Sequence, residues 1–374
     1  MMHVAAASAD DLPIPSTPPP PAVLEYDFVE TLPFRFSGQT GEYFRIWIVN
    51  LALTLLTLGI YSAWAKVRTQ RYFYAHTSVA GAPFEYLARP VPILIGRLIA
   101  AALFAAYLAT ANLAPAYEPF ALLALLVAIP WIVVRSLAFR AHNSAWRSLR
   151  FGFAGSTGRA YVEYLLWYVP VLFTFGLLWP YVAWRQKRFM VSNHRYGGQP
   201  FAFQARVTEF YVIWLLAIAG VVGLIVSIIV LMGVIGAASG ALSSQGGDDA
   251  EARIWLVMVP AMVLIYGGYF AIFVYIQTAT TNLVLNATDL ASNRLLSRLR
   301  FRHMLWLYLS NTVAILATVG LAIPWARIRM ARYRASRTQL VPHGDLDAFV
   351  AESARTQRAI GQEIGDFFDV DLGF

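Results

Sequence analysis

Three copies of an aromatic residue followed by two arginines are the part of this sequence whose chemistry is easiest to state. Within each copy the spacing is i, i+4 and i+7, so the three side chains lie on one face of a helix. Guanidinium groups bind phosphate and carboxylate groups in a bidentate manner, and an aromatic ring beside them suits the headgroup layer of a membrane. The three trios are Trp64, Arg68 and Arg71; Tyr181, Arg185 and Arg188; and Trp325, Arg329 and Arg332.

Two functions fit these trios. In the first, each trio anchors its own helix at the membrane–water interface, which requires only the spacing. In the second, the three faces converge on one site for an anionic headgroup or solute. The second function requires the fold to bring Arg68, Arg185 and Arg329 around one cavity.

Each trio belongs to a longer repeat that also contains a Thr-x-Gly segment. The copies read LTLGIYSAWAKVRTQRY (56–72), FTFGLLWPYVAWRQKRF (173–189) and ATVGLAIPWARIRMARY (317–333), and they align without gaps. A threonine hydroxyl that bonds back to a helical carbonyl helps a helix to bend, and a glycine tolerates the turn. We therefore predict helix breaks at Thr57 and Gly59, Thr174 and Gly176, and Thr318 and Gly320.

The composition is that of a polytopic membrane protein. Hydrophobic residues make up 58% of the chain and charged residues 13%. A helix needs about 20 apolar residues to cross a bilayer, and seven runs approach or exceed this length: 43–64, 91–113, 119–138, 161–184, 208–240, 254–285 and 303–326. The net charge of +8 arises from Lys and Arg at the ends of these runs. We therefore expect membrane lipids as partners and no nucleic acid.

Catalytic motifs are absent from the sequence. The chain has no cysteine, and its six histidines do not have metal-ligand spacing. No HExxH, GxSxG, phosphate-binding loop or dinucleotide fingerprint is found. We expect no metal, no cofactor and no enzymatic activity.

The repeats and the remaining apolar runs predict an all-α polytopic membrane fold. Three copies of the apolar repeat, 34–86, 151–203 and 295–340, alternate with two transmembrane helical hairpins, 91–140 and 208–285, in a membrane domain of residues 34–340. Aromatic residues two positions apart, at Phe84 and Tyr86 and at Phe201 and Phe203, predict short β segments at the membrane surface. The sequence leaves open whether these segments pair within one repeat or across the hairpin between repeats.

The two ends of the chain have a different composition. Residues 1–33 contain PIPSTPPPP, which predicts a disordered tail or a proline-rich docking site. Residues 341–374 form an acidic tail that we expect in the cytoplasm. Its apolar residues, among them Leu346, Phe349 and Val350, fit either a solvated helix or a clasp on a basic cytoplasmic face. The tails are also where a protein partner would bind.

The charges create a topological conflict. If each repeat crossed the membrane once, the second copy would be inverted relative to the first. Nevertheless, all three copies end in basic clusters, which belong in the cytoplasm. We expect each repeat to fold back as a broken, re-entrant or surface-lying pair of short helices with Thr-x-Gly near the turn. True inversion, as in many transporters, is the alternative.

Charged residues within apolar runs are candidates for function. Glu163 lies near the start of its run, and Arg135 lies near the end of another. At these positions we expect surface placement or snorkelling rather than buried pairs.

Several long motifs resemble one known family. These are the F-x-F-x-G start, GEYFRIWIVNLALTLLTLGIYSAWAKVRTQRYFY, PWARIRMARY and the ending GQEIGDFFDVDLGF. Together they resemble the YjgN family of bacterial inner-membrane proteins over about residues 34–374. The resemblance implies a location and a fold type but no activity, since this family is a domain of unknown function. We expect a multi-pass protein of the bacterial inner membrane with both termini in the cytoplasm. Its expected function is transport or handling of an anionic solute or lipid, and the alternative is a non-catalytic membrane scaffold or regulator of a partner protein.

Overall fold

The computed structural model describes residues 31–243 and 250–357. Most of the predicted proline-rich tail and residues 358–374 of the predicted acidic tail lie outside these ranges. The described residues form five successive units, each made of a strand, a helical hairpin and a second strand. The predicted repeats provide the first, third and fifth hairpins, and the predicted transmembrane hairpins provide the second and fourth.

The five hairpins differ mainly in length. The first, third and fifth contain helices of 17 residues or fewer, whereas the helices of the second and fourth contain 24 to 37 residues. The first and second hairpins are α1 (Thr40–Leu56) with α2 (Ser62–Ala75) and α3 (Pro90–Leu113) with α4 (Glu118–His142). The third is α5 (Thr157–Tyr161), a π-helical turn (Val162–Leu166) and α6 (Tyr168–Phe173), followed by α7 (Trp179–Ser192). The fourth and fifth are α8 (Val207–Ser243) with α9 (Ala250–Asn286) and α10 (Phe301–Ala317) with α11 (Ile323–Ser336).

The strands between the hairpins form one antiparallel sheet. They are β1 (Leu32–Pro33), β2 (Arg35–Phe36), β3 (Thr77–Val79), β4 (Ala82–Tyr86), β5 (Ser144–Trp146), β6 (Leu149–Phe153), β7 (His194–Tyr196), β8 (Gln199–Phe203), β9 (Thr288–Leu290), β10 (Asn293–Ser297) and β11 (Thr338–Val341). Their order in the sheet is β1-β11-β10-β9-β8-β7-β6-β5-β4-β3-β2. Neighbours in the sheet are therefore neighbours in sequence, except where β1 pairs with β11.

One short segment joins the two edges of this sheet. β1 pairs with β11 at one edge and β2 pairs with β3 at the other, and only Phe34 separates β1 from β2. The backbone N–H of Phe34 donates to the carbonyl of Thr338 at 3.0 Å. The sheet thereby curves into a barrel, in which no long edge is left unpaired.

Apolar side chains from opposite sides of the barrel meet inside it. Val79, Trp146, Tyr196 and Leu340 are buried in one cluster, although they belong to β3, β5, β7 and β11. Strands so far apart in the sheet contact each other only through the interior. The barrel is therefore a packed core rather than an open tube.

The helices form a second ring on the barrel. In each hairpin the second helix packs against the first helix of the next hairpin, and α11 packs against α1 to close the ring. Both ends of every hairpin enter the same barrel. The described turns, those of the first, second, third and fifth hairpins, therefore lie on one side of the barrel.

The sheet corrects the prediction of an all-α fold. Within the described residues there are eleven strands, which pair both within the predicted repeats and across the helical hairpins. The β segments predicted at Phe84 and Tyr86 and at Phe201 and Phe203 lie in β4 and β8. The other strands escaped prediction because each is only two to five residues long, and half-buried alternation is hard to detect over such lengths.

All five hairpins share equivalent positions, which makes the membrane domain fivefold rather than threefold. The second helix of every hairpin has a buried small or cyclic residue at the same distance before the following strand, namely Ala63, Pro130, Pro180, Val274 and Pro324. The next residue is always aromatic, namely Trp64, Trp131, Tyr181, Tyr275 and Trp325. Four residues later stand Arg68, Arg135, Arg185, Ala279 and Arg329. The motif therefore extends into the long hairpins, where uniform hydrophobicity concealed it.

Candidate functional site

The Thr-x-Gly segments lie at the turns of the three short hairpins. Thr57 ends α1, and its hydroxyl donates to the carbonyl of Leu53 at 2.7 Å and accepts the N–H of Tyr61 at 2.9 Å. Gly59 has φ of +94°, in the region where glycine has no steric cost. The other two turns repeat this geometry with Thr174 and Gly176 and with Thr318 and Gly320.

The residue between threonine and glycine is apolar and almost fully exposed in each turn. Leu58 is 96% exposed, Phe175 98% and Val319 93%. Exposed apolar tips at the end of a hairpin are favourable in hydrocarbon rather than in water. The tips are therefore suited to an apolar environment such as hydrocarbon.

The structure keeps the three aromatic–arginine faces apart. Arg68 donates to the hydroxyl of Tyr61 at 3.0 Å, and Arg329 donates to Ser310 at 2.6 Å. Arg185 also binds within its own hairpin, as described below. Each of these three arginines therefore bonds within its own hairpin rather than in one shared site.

The second arginine of the trio has a structural contact in two of the three copies. Arg71 donates to the carbonyl of Ala88 at 3.2 Å, and Arg332 donates to the carbonyl of Gly38 at 3.3 Å. Ala88 and Gly38 occupy the same position, two residues before the first helix of the next hairpin. These arginines therefore hold adjacent hairpins together. In the described part of the chain, Arg188 makes no such bond.

Arg185 forms a buried ion pair that the sequence did not predict. Its Nε and Nη2 each donate to one oxygen of the Glu163 carboxylate, both at 2.7 Å. The Glu163 side chain is only 5% exposed, and the Arg185 guanidinium lies 4.9 Å from the centre of the Trp167 ring. The expectation of surface placement for Glu163 is therefore wrong. The turn at Gly176 folds α7 back beside the π-helical turn, and this brings the two charges together.

A groove in the third hairpin surrounds this ion pair. Its volume is about 490 Å³, and its walls carry three arginines. We call it the third-hairpin groove; it is lined by Arg159, Glu163, Tyr181, Trp184, Arg185, Arg188, Phe189, Ser192 and Asn193.

A second cavity lies between the barrel core and the helical ring. We call it the axial cavity. Its volume is about 520 Å³, and it is lined by Phe34, Tyr74, Thr77, Phe84, Leu137, Arg140, Ala141, Ser144, Phe151, Met190 and His194. Three of these residues, Phe34, Phe84 and Phe151, also pack against the barrel core and form the floor of the cavity. Residues of the first three hairpins and their strands therefore meet here.

Several polar side chains line the axial cavity. The hydroxyls of Ser144 and Tyr74 lie 3.1 Å apart. The exposed guanidinium of Arg140 has no hydrogen-bond or ion-pair partner within the described ranges 31–243 and 250–357. Its charge is therefore available to a ligand.

His194 contributes a neutral imidazole to the axial cavity. Burial lowers the pKa of His194 from its usual 6.5; its bond to Met190 opposes this effect and the charge of Arg140 adds to it. The Nδ1 atom lies 2.6 Å from the Met190 carbonyl, so Nδ1 carries the proton and Nε2 is an acceptor. Arg140 is then the one fixed charge among the lining residues at neutral pH.

The end of the barrel is covered by a helix formed by residues 346–357, here α12. Leu346, Phe349 and Val350 pack against the barrel core, and Phe349 stacks on Tyr196 at 6.1 Å between ring centres. Asp347 pairs with Arg147 of the barrel. This part of the predicted acidic tail is therefore docked on the barrel.

No metal site is evident in the described part of the chain. Within the searched ranges, no three His, Asp or Glu side chains gather as ligands would. Four described helical segments are long and apolar enough to span a bilayer: Pro90–Leu113, Pro115–His142, Val207–Ala237 and Met258–Asn286. All four belong to the second and fourth hairpins.

Comparison with known proteins identifies relatives over most of the chain. A sequence profile described as "Bacterial protein of unknown function (DUF898)" matches residues 31–367. The "Inner membrane protein YjgN" of Salmonella typhimurium strain LT2 is 29% identical over 361 residues, covering 84% of this chain and 89% of the relative. The protein of the same name from Escherichia coli O157:H7 is 30% identical over 145 residues, covering 38% of this chain and 36% of the relative. No solved structure matches.

Proposed function

The chain belongs to the DUF898 family, which includes the YjgN inner membrane proteins, and we propose that it binds and handles an anionic lipid in the axial cavity. It is a membrane protein, as the four apolar spans and the names of its relatives indicate. The proposal concerns which ligand it takes and where. The observation that carries it is the unpaired Arg140 guanidinium in a mainly apolar cavity.

The chemistry of the cavity favours an amphiphile over a small hydrophilic anion. Phe84, Leu137 and Met190 offer apolar surface for an acyl chain, and Arg140 offers a bidentate donor for a phosphate or carboxylate. The Ser144 and Tyr74 hydroxyls stand beside it as further hydrogen-bonding groups. A small anion would leave the apolar walls in contact with water.

The unequal hairpins support access from the bilayer. The 17 residues of α1 extend about 25 Å and the 14 residues of α2 about 21 Å, whereas the hydrocarbon core is about 30 Å thick. The 24 residues of α3 extend about 36 Å. The wall of the helical ring is therefore low at the short hairpins, and a lipid can reach the axis above their apolar tips.

The surfaces of the long hairpins support a lipid rather than an aqueous path. Every residue of α3, a helix described throughout, is at least partly exposed. Its exposed side chains are mainly apolar all round the helix, including Ile95, Ile99 and Phe104. A water-filled path would require polar residues on the face towards the axis.

The charges support an orientation with the barrel in the cytoplasm. All five hairpins end in the barrel, and its strands and their connections carry many arginines, among them Arg147, Arg150, Arg195 and Arg298. By the positive-inside rule this side faces the cytoplasm. We infer that α3, α4, α8 and α9 cross the membrane and that the three short hairpins enter and return. Residues 31 and 357 then both lie on the cytoplasmic side.

The test compares two arginines at equivalent positions. Arg140→Gln removes the charge in the axial cavity, and Arg334→Gln removes the equivalent arginine of the fifth hairpin, which donates to Tyr308 instead. Delipidated full-length protein is titrated with phosphatidylglycerol or phosphatidylcholine, and bound lipid is counted by native mass spectrometry.

Arg140→Gln should weaken the tightest phosphatidylglycerol binding about tenfold, since a charge-assisted hydrogen bond is lost. Phosphatidylcholine binding and the Arg334→Gln protein should change little. Equal phosphatidylglycerol binding by Arg140→Gln and the unaltered protein would overturn the proposal.

A further inference from the structure

The third hairpin departs from the contact that links the other short hairpins to their neighbours. In the first and fifth hairpins, Arg71 and Arg332 donate to the carbonyl before the next hairpin. In the third hairpin the indole N–H of Trp184 donates to the equivalent carbonyl, that of Ala205, at 2.8 Å. The residue at the position of these arginines, Arg188, is therefore not needed for this contact.

Arg188 is instead presented to the third-hairpin groove. The Arg188 guanidinium lies 5.2 Å from the centre of the Trp184 ring and is stabilised by a cation–π contact with it. Trp184 thus both donates to the Ala205 carbonyl and holds Arg188 in place. In the part of the chain that the structure describes, its guanidinium has no hydrogen-bond or ion-pair partner. A supported but unpaired guanidinium is well suited to bind an anion.

A second departure places another cation in the same groove. Arg159 is the third residue of the first helix in its hairpin, and it is exposed. Its guanidinium also has no partner among the described residues. The equivalent residues in the other hairpins are Glu42, Pro92, Glu209 and His303. The third hairpin thus has a permanent cation where two others have a carboxylate.

The groove keeps its positive charge because its one carboxylate is already neutralised. Both oxygens of Glu163 accept hydrogen bonds from Arg185. The charges of Arg159 and Arg188 are not compensated, so the residues that line this groove of about 490 Å³ carry a net charge of plus two.

We propose that the third-hairpin groove binds a phosphate group, carried either by an anionic phospholipid or by a soluble phosphate. Two guanidinium groups match the several oxygens of a phosphate, and a carboxylate would use only one of them fully. The aromatic Trp184 and Tyr181 place the groove at headgroup depth. This site is independent of the axial cavity, since the two cavities share no lining residue.

A fluorescent label in the groove tests the proposal. The chain has no native cysteine, so Ser192→Cys can be labelled with bimane in the full-length protein. The protein is placed in nanodiscs of phosphatidylcholine, alone or mixed with phosphatidylglycerol. Inorganic phosphate is titrated separately into the phosphatidylcholine nanodiscs.

The label should respond to phosphatidylglycerol, to inorganic phosphate or to both, and the pattern identifies the source of the phosphate group. Arg159→Gln with Arg188→Gln should raise the concentration for half-maximal response at least about tenfold. Arg195→Gln with Arg298→Gln removes the same charge from the barrel surface and should leave the response unchanged.

Three results overturn the proposal: no response to either ligand, a response that the Arg159 and Arg188 changes leave intact, or one that the control pair abolishes equally. Arg140→Gln serves to separate the two sites. It should weaken lipid binding in the axial cavity while the bimane response persists, so either proposal can fail without the other.

Discussion

The ion pair between Glu163 and Arg185 yields the sharpest prediction for stability. Glu163→Ile removes the carboxylate and leaves Arg185, which is 27% exposed, without its two 2.7 Å bonds. Breaking a fully buried pair costs about 3–5 kcal/mol. Because Arg185 keeps some access to solvent, we expect a loss of about 2–4 kcal/mol in the free energy of unfolding.

The fourth hairpin provides a natural design for the compensating change. It carries Ile213 where the third has Glu163, and Ala279 where the third has Arg185. Ile213 is buried without any ion pair. The double variant Glu163→Ile with Arg185→Ala therefore copies an arrangement that the same fold already tolerates. It should be more stable than Glu163→Ile alone, since no charge is left without its partner.

The measurement is thermal unfolding in one detergent, followed by tryptophan fluorescence. Glu163→Ile should lower the midpoint by about 3–8 °C. The stability losses of Glu163→Ile and Arg185→Ala, added together, should exceed the loss of the double variant by about 2 kcal/mol. Additive losses would show that the pair does not couple, and the reasoning would then be refuted.

Three further predictions concern the turns, the axial cavity and the orientation. Gly59→Ala should destabilise the protein by about 1–2 kcal/mol because φ is +94° there, whereas Gly41→Ala, in an open helical position, should be neutral or stabilising; equal midpoints in thermal unfolding would contradict this. Burial lowers the pKa of His194, so its contribution to stability is present above pH 6.5 and is lost as the pH falls below that value. His194→Gln should therefore flatten the decline of the unfolding midpoint on acidification, and an unchanged slope would contradict this assignment. Phe175→Cys at a hairpin tip should resist water-soluble maleimide from both sides of the membrane, whereas Arg195→Cys on the barrel should react only from the cytoplasm; labelling of Arg195→Cys from the periplasm would reverse the orientation.

The turns of the short hairpins were predictable because their signal is local. Thr57 and Gly59 are two residues apart in a repeated motif, and the hydrogen bonds that bend the chain involve neighbours within a few residues. The charge at the ends of the repeats also favoured a chain that folds back. Family membership followed from long motifs in the same way.

The barrel and the ion pair depend on contacts that local patterns do not contain. β1 and β11 come from opposite ends of the described chain. Apart from the alternating aromatics of β4 and β8, the barrel strands are too short to show a clear alternation. Glu163 and Arg185 become neighbours only when the turn at Gly176 reverses the helix. Trp131 and Arg135 carry the repeat in the second hairpin. It was missed because the apolar residues around them already suggested an ordinary transmembrane helix.

The closure of the barrel by Leu32–Phe36 has a consequence for how the protein is made. Among the described strands β1 is synthesised first, and its pairing partner is β11, which is synthesised last. The membrane hairpins are therefore synthesised around an incomplete ring, and closure is the final step. A ring of this kind also has no inherent starting point. Leu32 lies directly opposite Leu340, so a short peptide joining these ends, with new termini opened between α8 and α9, should give a circular permutant with the same barrel.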